Sequence, residues 1–276
     1  MILEGYLAYE FFRYALLSAL ILGPTCALIG IFVTLRGMAF FSDALAHSAV
    51  TGMALGYLAS DWLRLEASPS VVVFVFCVGL ALLMAWLMER TSLSPDTVIA
   101  FSFTGSVAFG VLVMAWLQKY RMLDGILFGS LYANGPVELA QQVVLAVVAV
   151  VFLLTSMRDL TLMTLSSELG EARGLRVRWF NYGFALLVAA TVAVAMKMLG
   201  ALLLSALIVI PAASAKLVSG SFRSMILWSL AIGVIAPVSG VLFSWTADLP
   251  VGPSIVFWNV VILAFCYFVR GLRRRV

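Results

Sequence analysis

The sequence predicts an all-α fold, a polytopic integral membrane bundle of eight or nine transmembrane helices, and three observations predict it. Of 276 residues, 64% are hydrophobic and 11% charged, with a mean hydropathy of +1.12. A soluble domain carries about a quarter charged residues, so no water-facing surface can be assembled from this composition. Second, the apolar runs reach the roughly 20 residues that cross about 30 Å of hydrocarbon. Third, those runs are solid, without the period of two that a lipid-facing β-barrel needs. The chain, 1–276, reads as one transmembrane domain.

The first run, 14–35, is too long for a signal-peptide core and follows Glu4, Glu10 and Arg13 rather than a basic leader, so it is a retained span. The next runs are 38–59, 70–88, 97–117 and 137–155. Four more follow at 179–196, 199–217, 225–247 and 253–270. Whether the count is eight or nine turns on the tight junction "KMLG" (197–200) and on whether 123–133 dips into the membrane. Small residues crowd "GALLLSALIVIPAASA" (200–215) and "GVIAPVSGVLFS" (233–244). In lipid such residues let helix backbones approach closely. Pro211 and Pro237 free backbone carbonyls that neighbouring helices or water must satisfy.

Orientation follows from the connections. The tail "RGLRRRV" carries Arg270, Arg273, Arg274 and Arg275, which sets the C-terminus on the cytoplasmic side. Working back, 246–252 falls outside, while Lys216, Arg223 and the connection 156–178 fall inside. Segments 60–69 and 118–136 come out external despite Arg64, Lys119 and Arg121. The connection 156–178 is the only sizeable polar one. Within it, Ser166 or Ser167 can cap a short helix, Glu168 and Glu171 suit its first turn, and Gly174 ends it. A capped helix of mixed charge between two spans is a docking element, or else an interfacial helix resting on lipid headgroups. The net charge of +4 sits partly in the tail and does not point to nucleic acid.

Little in the chain can carry chemistry. Cys26, Cys77 and Cys266 lie far apart inside apolar runs and read as packing residues. Neither a G-x-x-x-x-G-K-[ST] phosphate loop nor an H-E-x-x-H pair occurs, so no catalytic residue or resident cofactor is expected. "FFSDALAHSAVTGMALGY" (40–57) stands apart, because it holds Asp43 and the only histidine, His47. An aspartate in mid-span costs roughly 2.5–3.5 kcal/mol. At i and i+4 the two side chains share one helix face. Three roles are open: a hydrogen bond between helices, a proton relay, or a transition-metal site built from an imidazole nitrogen and a carboxylate oxygen. Two ligands leave a coordination shell incomplete, and a second copy about a two-fold axis would supply the same pair again.

Several motifs occur together: "GIFVTLRGMAFFSDALAHSAVTGMALGYL" (30–58), "GILFGSLYA" (125–133), "ELGEARGLRV" (168–177), "GALLLSALIVIPAASAKL" (200–217) and "LPVGPSIV" (249–256). In this order they resemble the permease subunits of bacterial metal-ion ABC importers, over nearly the full length. The resemblance implies a homodimeric channel in the bacterial plasma (inner) membrane, moving zinc, manganese or iron by alternating access. A cytoplasmic ABC ATPase would dock on each protomer, and an extracytoplasmic metal-binding protein would deliver the ion. Asp43 and His47 match the family's pair on its second helix. The stretch holding Ser167, Glu168, Glu171, Ala172, Arg173 and Gly174 is similar to the coupling helix that meets the ATPase. Thr51 departs from the pattern, since many relatives carry proline there, and it predicts a straighter helix. Two alternatives remain, a permease for siderophores or corrinoids and a stand-alone proton-coupled metal carrier.

Overall fold

The structure, a computed structural model, describes residues 9–62, 69–119, 129, 135–165, 170 and 173–273. Its helices are α1 (Glu10–Leu35), α2 (Ala39–Trp62), α3 (Pro69–Arg90), α4 (Pro95–Trp116), α5 (Pro136–Leu165), α6 (Val177–Val218), α7 (Phe222–Ala247) and α8 (Val251–Arg273). No strand occurs among the described residues.

The 42 residues of α6 are two helices joined at Gly200, whose φ of 74° and ψ of 163° suit glycine alone. As one rod they would extend about 63 Å, twice the hydrocarbon thickness. Instead the chain doubles back. The Phe32 ring meets Phe184 at 6.4 Å and Phe222 at 6.2 Å, so the start of α6 and the start of α7 lie at the same end of the bundle. The junction "KMLG" is therefore a reversal, and the described residues make nine passes.

Eight of those pieces are long and apolar enough to cross a membrane by themselves. The exception is α2, which carries Ser42, Asp43, His47, Ser48 and Thr51. It need not be lipophilic, because α3, α4 and α6 pack around it. Phe41, Ala44, Leu45, Ala46, Ala49 and Ala54 are all buried. The faces turned outward are apolar instead, as with Val144, Val147, Val151 and Leu154 on α5.

Local signals fix the turns. Ser94 Oγ accepts the Thr97 N–H at 3.2 Å and Pro95 opens α4. Gly37, at φ 68°, closes α1, and the Met38 N–H reaches the Val33 carbonyl at 2.9 Å.

One expectation needs correction. The apolar run read as 137–155 continues as helix α5 to Leu165, so the polar connection narrows from 156–178 to 166–176. Leu160 and Met163 are buried, and the hydroxyls of Thr161 and Thr164 donate to carbonyls four residues back, at 2.7 and 2.6 Å. Gly174 lies at φ 75°, with the Leu175 N–H on the Gly170 carbonyl at 3.1 Å, the bond that terminates a helix.

Candidate metal site on the second helix

Asp43 and His47 lie in the second and third turns of α2, one above the other. His47 Nδ1 is 3.0 Å from the Asp43 backbone carbonyl and 3.4 Å from the carboxylate Oδ1. A carbonyl only accepts, so Nδ1 is the donor, and in the neutral ring the lone pair is then on Nε2. That is the tautomer a metal-ligating imidazole requires, with the orienting bond supplied by its own helix. The Phe103 ring of α4 stands edge-on to the imidazole, with centroids 5.7 Å apart and planes at 89°. Both side chains remain accessible, His47 at 22% and Asp43 at 39%, while Phe41, Ser42, Ala44, Leu45, Ala46 and Ser48 around them are buried.

Three levels of contact fix α2 to α4 around this pair. Beyond His47 and Phe103, the Thr51 hydroxyl donates to the Ser106 carbonyl at 2.6 Å, and Ser106 Oγ donates to Thr51 Oγ1 at 3.3 Å. Gly110 lies so close to Thr51 that a Cβ there would overlap its hydroxyl. Farther along, Lys119 Nζ pairs with Asp61 Oδ2 at 2.5 Å and sits 4.7 Å from the Tyr57 ring centre. Thr51, where proline was the family expectation, is thus a donor between helices, and α2 runs unbroken through it. The polar seam between α2 and α4 is made by Thr51 and Ser106, while the hydrogen bond of His47 stays within α2.

Among the described residues no group of three or more His, Cys, Asp and Glu comes together, so one chain offers an ion two side-chain ligands here. The three cysteines are free and buried. Of the expected docking residues, Ser167, Glu168, Glu171 and Ala172 lie outside the described residues. Arg173 and Gly174 form an exposed turn that leads into α6, at the end of the bundle where α1 gives way to α2. Phe103, Thr51 and Ser106 as neighbours of the pair went unread from sequence, since their partners lie more than 50 residues away.

Known proteins bear on this geometry. The chain is similar to a high-affinity zinc uptake system membrane protein of Haemophilus influenzae, 30% identical over 95% of this chain and 98% of that protein. A manganese import system permease protein of Streptococcus parasanguinis is 26% identical over 99% of this chain and 95% of its own length. Among solved structures, PsaBC from Streptococcus pneumoniae in complex with Fab superposes with a TM-score of 0.83 at 25% identity, covering 98% of this chain and 96% of that one. The likeness first read from the motifs holds across the bundle, and residues 8–270 match the ABC 3 transport family, to which this chain belongs.

Proposed function

We propose that the chain is the membrane-spanning permease of an ATP-driven importer that passes a divalent transition-metal ion into the cytoplasm by alternating access. The ion is zinc, manganese or iron, the cargoes named for similar proteins, and oxygen and imidazole ligands accommodate all three. The observation that carries the reading is the state of His47. Its Nδ1 is occupied by its own helix, which in the neutral ring leaves Nε2 to face an ion beside an accessible carboxylate. A pair serving only to join helices would spend its hydrogen bonds on a neighbouring helix, and here Thr51 and Ser106 do that. The similar zinc and manganese proteins support the same cargo class.

On this reading a second copy of the chain completes the shell across a two-fold axis, placing two carboxylates and two imidazoles around one ion. The end of the bundle bearing Arg36, Arg173, Arg176, Arg178, Lys216 and Arg223 faces the cytoplasm, as the excess of basic residues there favours. The 166–176 connection meets a separate ABC ATPase, which performs the hydrolysis, and a metal-binding protein delivers from the opposite side. The permease itself is not an enzyme. Few ligands suit transit, because an ion held loosely can leave.

The test is metal uptake by the full complex in vesicles. Asp43→Ala and His47→Ala should each reduce zinc and manganese uptake at least about tenfold, as loss of metal-site groups does elsewhere, while the ATPase still co-purifies. Uptake at the normal rate in both variants overturns the site. A large chelate carried equally well by both variants would favour the siderophore or corrinoid reading. Transport down a proton gradient by the chain alone would favour a stand-alone carrier.

A further inference from the structure

Where α1 turns into α2, a cavity of about 450 Å³ opens between Arg36, Phe41, Glu89, Pro95, Met163 and Asn181. Phe41 faces it from the side of α2 roughly opposite Asp43, so the cavity is separate from the ion site. Met163 and Thr164 belong to the last turn of α5 and Val177 opens α6, with Asn181 in its second turn, so the cavity lies between the end of α5 and the start of α6.

Two polar ties border this space, and both end on the start of α6. From the α1–α2 turn, Arg36 Nη1 donates to Asn181 Oδ1 at 3.2 Å, and the guanidinium carbon lies 5.0 Å from the Phe184 ring centre. From the end of α3, Glu89 Oε2 accepts from the Tyr182 hydroxyl at 3.0 Å, with Arg178 Nε at 3.9 Å. Residues 178–184 are therefore gripped from two sides, immediately after the connection. Each tie also leaves a second atom unused, because Arg36 Nη2 and Glu89 Oε1 are buried without a partner. A buried charge with an unmet hydrogen bond is costly, and burial lowers the Arg36 pKa. Beside them is open volume into which the start of α6 can shift.

We propose that Arg36 and Glu89 are positioning residues that carry displacement of the α5–α6 connection to α2, and so to Asp43 and His47. The proposal rests on the importer reading. Arg36 stands three residues before Ala39, the first residue of α2, so a pull on Asn181 and Phe184 moves the α1–α2 turn and the helix that begins there. The Glu89 tie keeps the end of α3 in step. Movement of α6 across the cavity is the two-state element that such coupling needs, and it offers Arg36 Nη2 and Glu89 Oε1 the partners they lack.

The experiment uses the full complex in vesicles, with Zn²⁺, Mn²⁺ and Fe²⁺ as probes, and reads ions moved per ATP hydrolysed. Wild type must first move at least one of these ions; if it hydrolyses ATP and moves none, the importer reading itself fails. Given transport by wild type, Arg36→Gln and Glu89→Gln should keep the ATPase bound and hydrolysis within about twofold, while ions per ATP fall about tenfold. Arg36→Lys, which keeps the charge, and Asn181→Asp, which strengthens the acceptor, should retain coupling. Asn181→Ala and Tyr182→Phe leave the α1–α2 turn and α3 unaltered, so they decide the matter if Arg36→Gln fails to assemble. Unchanged ions per ATP in these variants overturns the proposal, and so does a parallel loss of assembly, hydrolysis and uptake.

Discussion

His47 shows how much of a site one backbone atom decides. The Asp43 carbonyl occupies Nδ1, fixing which ring nitrogen holds the lone pair in the neutral imidazole. Asp43→Asn preserves that carbonyl and the side-chain volume but removes the negative charge. Uptake of Zn²⁺ by the assembled complex should then drop at least about tenfold, measured as initial rate in vesicles, and a normal rate would assign the carboxylate no part in holding the ion. The pair was legible in the sequence because the chain has one histidine and an aspartate one helical turn before it. Its tautomer was not, since that depends on the distance to a carbonyl that no residue pattern encodes. Gly200 offers a second residue-scale test. An alanine forced to φ 74° and ψ 163° costs about 1–3 kcal/mol, so Gly200→Ala should lower the thermal midpoint of the purified protein. An unchanged midpoint would show the turn relaxing to an ordinary conformation.

Helices α2 and α4 act as one plate, and the seam between them separates two kinds of contact. Thr51→Val deletes a hydrogen bond between membrane helices, worth roughly 0.6 kcal/mol on average and at most about 1.7; uptake should stay near wild type. Gly110→Val drives branched carbon atoms into the Thr51 hydroxyl and backbone. That variant should express poorly or lose uptake, and normal yield and transport from it would show the seam can open without consequence. Apolar run length made the helices readable but left the junction at 197–200 open, and the backbone of Gly200 decides it. It misjudged α5, where "SMRDLTLMTL" has the polarity of a loop. Helix persists there because Leu160 and Met163 are buried against the bundle and the threonine hydroxyls bond back along the helix. Polarity marks what water can reach, and helix continues wherever one face still packs.

For the molecule as a whole, the proposed pair of ligands per chain sets a stoichiometry. On the proposed pairing, the purified dimer binds one ion, half an ion per polypeptide, readable by elemental analysis after desalting from a modest excess of metal. One ion per chain would mean that each copy completes its own shell. The overall layout was legible because lipid imposes long apolar runs, 38–59 of α2 among those read, whereas pairings between distant helices, such as Arg36 with Asn181, were not legible. The reversal at Gly200 has a practical corollary. Leu199, Gly200 and Ala201 are buried, so at these three positions the turn between the limbs of α6 is closed to a reagent in water. Water-borne labels at Arg173 and at Gly220, both exposed, should therefore report one compartment, which only an even number of crossings between them allows.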